Sequence, residues 1–210
     1  MIVTGQIKGL KKGTLYLQKM KDTLLITVDS IVLIGSDMFT LTDNVDSPVL
    51  YNLTFDGNNT NKRILFFGEK GTITINDKLD LFGFSPEIKG SKNQELLDKY
   101  NIVKRRFQAE RLDFVKKDFE AKKANDKTKV EQLEKDYKKL TKKRVLFTTN
   151  FAINNADYEV APYIGLAEMY DASLQLLDTV NNSLSDKVKK SEYGKRFQEY
   201  INKIKENEQQ

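Results

Sequence analysis

"GSKNQELLDKY", residues 90–100, lies where the chain changes character. Before it, short apolar stretches are cut by Gly, Asn and Asp; after it, charged sequence of helical period runs almost to the end. Gly90 suits a strand end and Ser91 an N-cap. Gln94 stands three residues on, the reciprocal spacing of a capping box. A helix is therefore expected to start here, dividing a β domain over 1–90 from a helical extension over 91–210.

Upstream of this seam, "VTGQIKG" and "GTLYLQK" alternate apolar and polar residues, placing Val3 and Ile7, then Leu15 and Leu17, on one face. A period of two is that of a half-buried strand. "LLITVDSIVLI", "MFTLT", "VLYNLTF", "RILFF" and "GTITI" continue the rhythm, punctuated by "GSD", "DNVDSP", "DGNNTN" and "GEKG". Seven to eight short strands, with no helical interval long enough for a crossover, predict an antiparallel β-sandwich or barrel.

Downstream, Leu96, Tyr100, Val103, Phe107 and Phe114 form one apolar stripe, and Val130, Leu133, Tyr137, Leu140, Phe147 and Phe151 a second. The polar break "KKANDKTK" separates them. Two long helices folding back as an antiparallel hairpin are expected over about 91–156. Two further helices are expected over about 158–206, the first with Pro162 in its opening turn and the last capped by Ser191. The fold class is α+β.

The net charge of +5 is unevenly spread. Residues 1–90 carry 10 basic and 10 acidic side chains, residues 91–146 carry 18 and 10, and residues 147–210 carry 7 and 10. The excess thus belongs to the hairpin. Its acids stand four residues before its lysines, at Glu95–Lys99, Asp113–Lys117, Asp118–Lys122, Glu131–Lys135 and Glu134–Lys138, the orientation that supports an exposed helix. Only "KRR" at 104–106 and "TKKR" at 141–144 are unbroken basic clusters. A solvated face is expected there, and no nucleic-acid partner.

Cys and His are both absent. That excludes a thiol nucleophile, a CxxC redox pair, a Cys or His metal cluster, and a His general base. Neither catalytic nor cofactor-binding nor metal-binding residues emerge from any motif, and no cofactor is expected. "GEKG" at 68–71 lacks phosphate-loop spacing. "FDGNNTNKR" at 55–63 reads as a hairpin connection. The sequons at Asn52, Asn58 and Asn181 are short enough to arise by chance, and Tyr158, Tyr163 and Tyr170 are either groove-lining or packing aromatics.

Taken together, "VTGQIKGLKKGTLYL", "VDSIVL", "FTLTDNVDSPVLYNL", "GEKGTITI", "IKGSKNQELLDKY", "EVAPYIGL" and "SEYGKRFQEYI" resemble a domain of unknown function. That domain precedes thioredoxin-like domains in exported thiol-disulfide oxidoreductases of Bacteroidetes-type bacteria. The chain looks closest to the family's stand-alone lipoprotein members, which lack the thioredoxin domain. The redox activity is not carried over, because no CxxC is present. The resemblance implies a cell-envelope protein, periplasmic or surface-exposed, its signal and lipidated Cys removed and Met1 supplied; the alternative is a cytoplasmic one.

The function expected is a non-enzymatic binding or assembly module with a protein or peptide partner, accessory to envelope redox or stress functions by resemblance alone. Membrane association is expected only through the removed anchor. A structural protein oligomerising through the hairpin is the alternative, and a carboxylate-dependent hydrolase the remote one.

Overall fold

A computed structural model describes residues 1–21, 23–56 and 62–208. The chain divides into two compact units, Met1–Glu95 and Leu96–Gln210. The first holds eight strands: β1 (Ile2–Lys8), β2 (Lys12–Lys21), β3 (Leu24–Ile34), β4 (Met38–Thr42), β5 (Val49–Phe55), β6 (Ile64–Gly68), β7 (Thr72–Lys78) and β8 (Glu87–Lys89). They form two four-stranded sheets, ordered β4-β1-β7-β8 and β3-β2-β5-β6. Alternation along each strand gives each sheet one apolar face: Val3 and Ile7 with Ile73 and Ile75 in one, Leu15 and Leu17 with Tyr51, Leu53 and Phe66 in the other, all fully buried.

The α+β class holds, and the open sheets leave the two-sheet alternative and not the barrel. One expectation is corrected: β1 pairs in parallel with β7, Val3 opposite Ile73 and Gly5 opposite Ile75. The parallel pair needs no helical crossover, because the chain between its two strands is occupied by the whole second sheet and β4. "GLKKG" accordingly joins strands of different sheets. Its glycines, Gly9 at φ +97° and Gly13 at φ +122°, take a backbone conformation that L side chains disfavour.

Helix α1 (Lys92–Lys123) starts at the seam. Ser91 Oγ accepts the Gln94 N–H at 3.1 Å, as an N-cap should. The Gln94 side-chain oxygen accepts the Phe67 N–H at 2.9 Å. Glu69, in the "GEKG" turn after β6, adds a second cap: its carboxylate accepts the Lys92 N–H and, at 2.8 Å, the Asn93 side-chain amide. A carboxylate at a helix N-terminus also meets the positive end of the dipole.

In the second unit, α1 turns back at Asn125, whose φ is +55°, into α2 (Lys127–Asn154), capped by Asp126 Oδ1 on the Lys129 N–H at 2.9 Å. Aromatic rings fill the seam of this hairpin. Tyr100 lies 5.3 Å from Phe151 and 5.9 Å from Phe147, and Phe114 meets Tyr137 edge-on at 6.1 Å.

Four helices follow the hairpin, where two were expected: α3 (Val160–Glu168), α4 (Leu174–Ser183), α5 (Asp186–Lys189) and α6 (Glu192–Glu208). "MYDAS" interrupts what reads as one helix, because Asp and Ser favour turns and caps, and the turn buries Met169 completely. Met169 joins Ala152, Leu177, Val180, Phe197 and Ile201 in the core of this unit. Ser191 caps α6 through the Gly194 N–H at 3.2 Å. Gly194 itself lets α6 approach α5: a Cβ there would come within 2.0 Å of the Val188 carbonyl oxygen.

Candidate functional site

Two places in the molecule gather side chains that could act on something else. The first is a small cleft, about 90 Å³, between the hairpin and the turn after α3. Helix α1 contributes Tyr100, Lys104 and Arg111, α2 contributes Thr141 and Arg144, and the α3 end contributes Glu168, Tyr170 and Asp171. Arg144 donates to the Asp171 carboxylate at 2.5 Å and to the Glu168 carbonyl at 2.8 Å, and its guanidinium lies 5.0 Å from the Tyr170 ring centroid. Lys104 pairs with the Glu168 carboxylate at 2.5 Å.

Tyr100 closes the floor of this cleft. Its hydroxyl shares a 3.0 Å hydrogen bond with Thr148, and its phenol is pushed up to about 12, first by burial and then by the nearby Glu168 charge against the Thr148 bond. The cleft therefore keeps its two acids in ion pairs and its phenol protonated. Paired carboxylates facing each other across a substrate, as glycoside hydrolysis uses, are not what it holds. At its size it admits several waters and falls well short of the roughly 300 Å³ of a small-molecule site.

The two basic clusters thus have divided roles. Each turns one cation inward, Lys104 from "KRR" and Arg144 from "TKKR", toward acids of the α3 end. Sequence stripes skipped Arg144, yet it stands seven residues from both Tyr137 and Phe151, an inner position of the heptad. That spacing was the signal that could have found it. Of the three tyrosines, Tyr170 lines the cleft, whereas Tyr163 packs on Tyr193 with ring centroids 5.3 Å apart. Tyr158 is not among the residues that line the cleft.

Other candidates resolve into structure. Asn52 is buried in β5, and Asn181 is buried with its amide donated to Gln198 at 2.6 Å, so neither sequon presents a free side chain. Asn58, with most of "FDGNNTNKR", lies outside the described residues. Among the described residues, no group of three or more acids could hold a metal ion, and no helix is long and apolar enough to cross a membrane.

The second place is the edge of the second sheet. β3 is its terminal strand and pairs with β2 on one side. Over eleven residues it carries a single charge, Asp29, and no proline. Its exposed apolar side chains include Leu24, 69% exposed, Val32 at 64% and Ile34 at 86%, with Leu25 also exposed. Edge strands ordinarily carry charges, prolines or bulges that discourage pairing. A register shift interrupts the β2–β3 ladder at Leu17/Gln18, and midway along the strand the Asp29 carboxylate accepts the Thr42 N–H of β4 at 2.7 Å, so it is toward its two ends that β3 has little such protection.

A β unit of two open sheets followed by a helical unit is the class this structure defines. Residues 1–97 match the family model described as "Domain of unknown function (DUF4369)", which spans the β unit and the first turn of α1. No curated protein and no solved structure matches the chain.

Proposed function

We propose that the protein is a non-enzymatic binding module of the cell envelope that takes up an extended peptide segment of a partner by strand addition along β3. The observation that carries this is the edge itself: eleven residues, one charge, and exposed Leu24, Leu25, Val32 and Ile34. Strand addition draws affinity from main-chain hydrogen bonds and selectivity from alternate side chains, both of which an open apolar edge supplies. Exposed apolar surface concentrated on one element is a mark of interaction sites.

The ionic cleft supports the same assignment by exclusion of a role, since its acids and cations serve each other. The compartment is supported by the resemblance of the β unit to domains that precede exported thioredoxin-like domains, and an accessory role beside such proteins is part of the proposal. Fractionation of the native organism tests the compartment; recovery only from the cytosol would contradict it.

The binding mode is tested with labelled peptides of alternating apolar and polar residues, titrated by fluorescence anisotropy. Leu25→Lys/Val32→Lys should weaken the best binder about tenfold or more, because charge on an edge opposes pairing. Equal binding by the folded double variant would remove β3 as the site.

A further inference from the structure

The exposed side of α1 carries an apolar stripe, Leu112, Val115 and Phe119, whose border residue Val115 also lines a space of about 220 Å³ with Asp118 and Lys122 of α1 and Leu133, Glu134 and Tyr137 of α2. Leu112, Val115 and Phe119 are spaced three and four apart, so they share one side of the helix, and they are 70%, 57% and 67% exposed. The inner stripe, Tyr100, Phe107, Phe114 and Ala121 at sevens, faces α2; Leu112 and Phe119 lie well round the helix from it, and Val115 stands at its border.

Cations border this stripe on both sides. Arg105, Lys116 and Lys123, separated by eleven and seven residues, run along one flank; Arg111 and Lys122, eleven apart, run along the other, and all five are exposed. Arg105, Arg111, Lys116 and Lys123 make no ion pair among the described residues, while Lys122 pairs with Asp118 at 2.7 Å. Of the acids near this stretch, Glu110, Asp113 and Glu120 lie farther round the helix, whereas Asp118 and, from α2, Glu134 stand beside Lys122, so the Arg105, Lys116 and Lys123 flank is the more strongly cationic one.

We propose that this face of α1 docks on an anionic phospholipid surface, Leu112, Val115 and Phe119 entering the headgroup boundary while the flanking Lys and Arg side chains reach the phosphates. Long basic side chains suit that position because their stems lie along apolar surface and their charges stay in the polar layer. The stripe spans about 10 Å along the helix, far less than a stable protein interface covers. A bilayer, by contrast, is held by a few inserted side chains together with several cations. A second copy of the same face would bring cations against cations. The proposal is independent of the β3 edge.

The test uses the full chain and vesicles of phosphatidylcholine, with and without phosphatidylglycerol, in a sedimentation assay. Binding should require the anionic lipid and weaken roughly tenfold as salt is raised well above physiological strength. Leu112→Gln/Phe119→Gln should lose about tenfold, and Arg105→Gln/Lys116→Gln a similar amount. Both variants alter exposed side chains, so unchanged circular dichroism and melting temperature serve as the folding control.

No preference for phosphatidylglycerol would overturn the proposal. So would undiminished binding by the Leu112→Gln/Phe119→Gln protein, or equal competition by soluble polyglutamate, which would mark a site for acidic polymers. A wild-type dimer that dissociates in that variant, with no vesicle binding, would assign the face to a second copy.

Discussion

The carboxylate of Glu69, in the turn between β6 and β7, receives the side-chain amide of Asn93 at 2.8 Å and so fastens the first turn of α1. Glu69 and Ser91 satisfy different amides of the same helix start. Each of Glu69→Ala and Ser91→Ala should cost about 1 kcal/mol in urea denaturation. The double variant should depart from additivity, because both caps order the same turn. Peptide and vesicle binding by the folded variants should be unchanged; a selective loss of either would show that the seam does more than join.

Tyr100 should give the protein an alkaline limit. Its folded pKa, about 12, lies above the ordinary value of 10.0, so between these two pH values the unfolded chain has already lost the proton that the folded one keeps. Its contribution is complete below pH 10 and is lost as pH rises toward 12, amounting to at most about 2 to 3 kcal/mol. Burial raises Tyr163 as well, in the same direction. Denaturant midpoints across this range should fall less steeply in Tyr100→Phe; an identical slope would mean that Tyr100 ionises freely in the native protein.

Arg144 ties α2 to the turn after α3 through two groups at once, the Asp171 carboxylate and the Glu168 carbonyl. Replacing it with Met, which keeps most of the volume, should lower stability by about 2 kcal/mol, and Lys, a single point donor, should restore part of the loss. Full stability in Arg144→Met would show that the seam prefers an apolar residue there.

Gly5 is the position on which the parallel β1–β7 pair depends most. Its φ is +154°, and a Cβ would fall 1.8 Å from the Ile75 carbonyl oxygen. Gly5→Ala should cost about 3 kcal/mol or more, since the obstacle is backbone and cannot swing aside. A variant as stable as the parent, by chemical denaturation, would imply that β1 and β7 are free to separate.

The strands were legible because alternation is local: "GTLYLQK" and "GTITI" declare their buried faces residue by residue. Helix starts at Ser91 and Ser191 were legible for the same reason, a capping residue followed by helical spacing. The parallel partner of β1 was not, since a strand's period says nothing about which distant strand it joins. Nor was the break at "MYDAS", where buried Met169 and the Arg144–Asp171 pair outweigh continuous helical spacing.

The cleft was half legible. Tyr170 stood out as an aromatic, but Lys104 and Arg144 were hidden inside basic clusters that read as solvent-facing. The outer stripe of α1 was obscured because Leu112, Val115 and Phe119 fall between the members of the inner one. Two apolar stripes on one helix blur each other's periodicity, and the structure separates them.

The assignment of β3 as the docking edge is tested most directly by amide hydrogen exchange on the full chain with and without a saturating peptide ligand. Strand addition predicts that outward amides of residues 24–34 slow by about tenfold or more, with little change in β6 at the other edge of the sheet. Unaltered exchange in β3, with protection appearing in another element instead, would contradict the account.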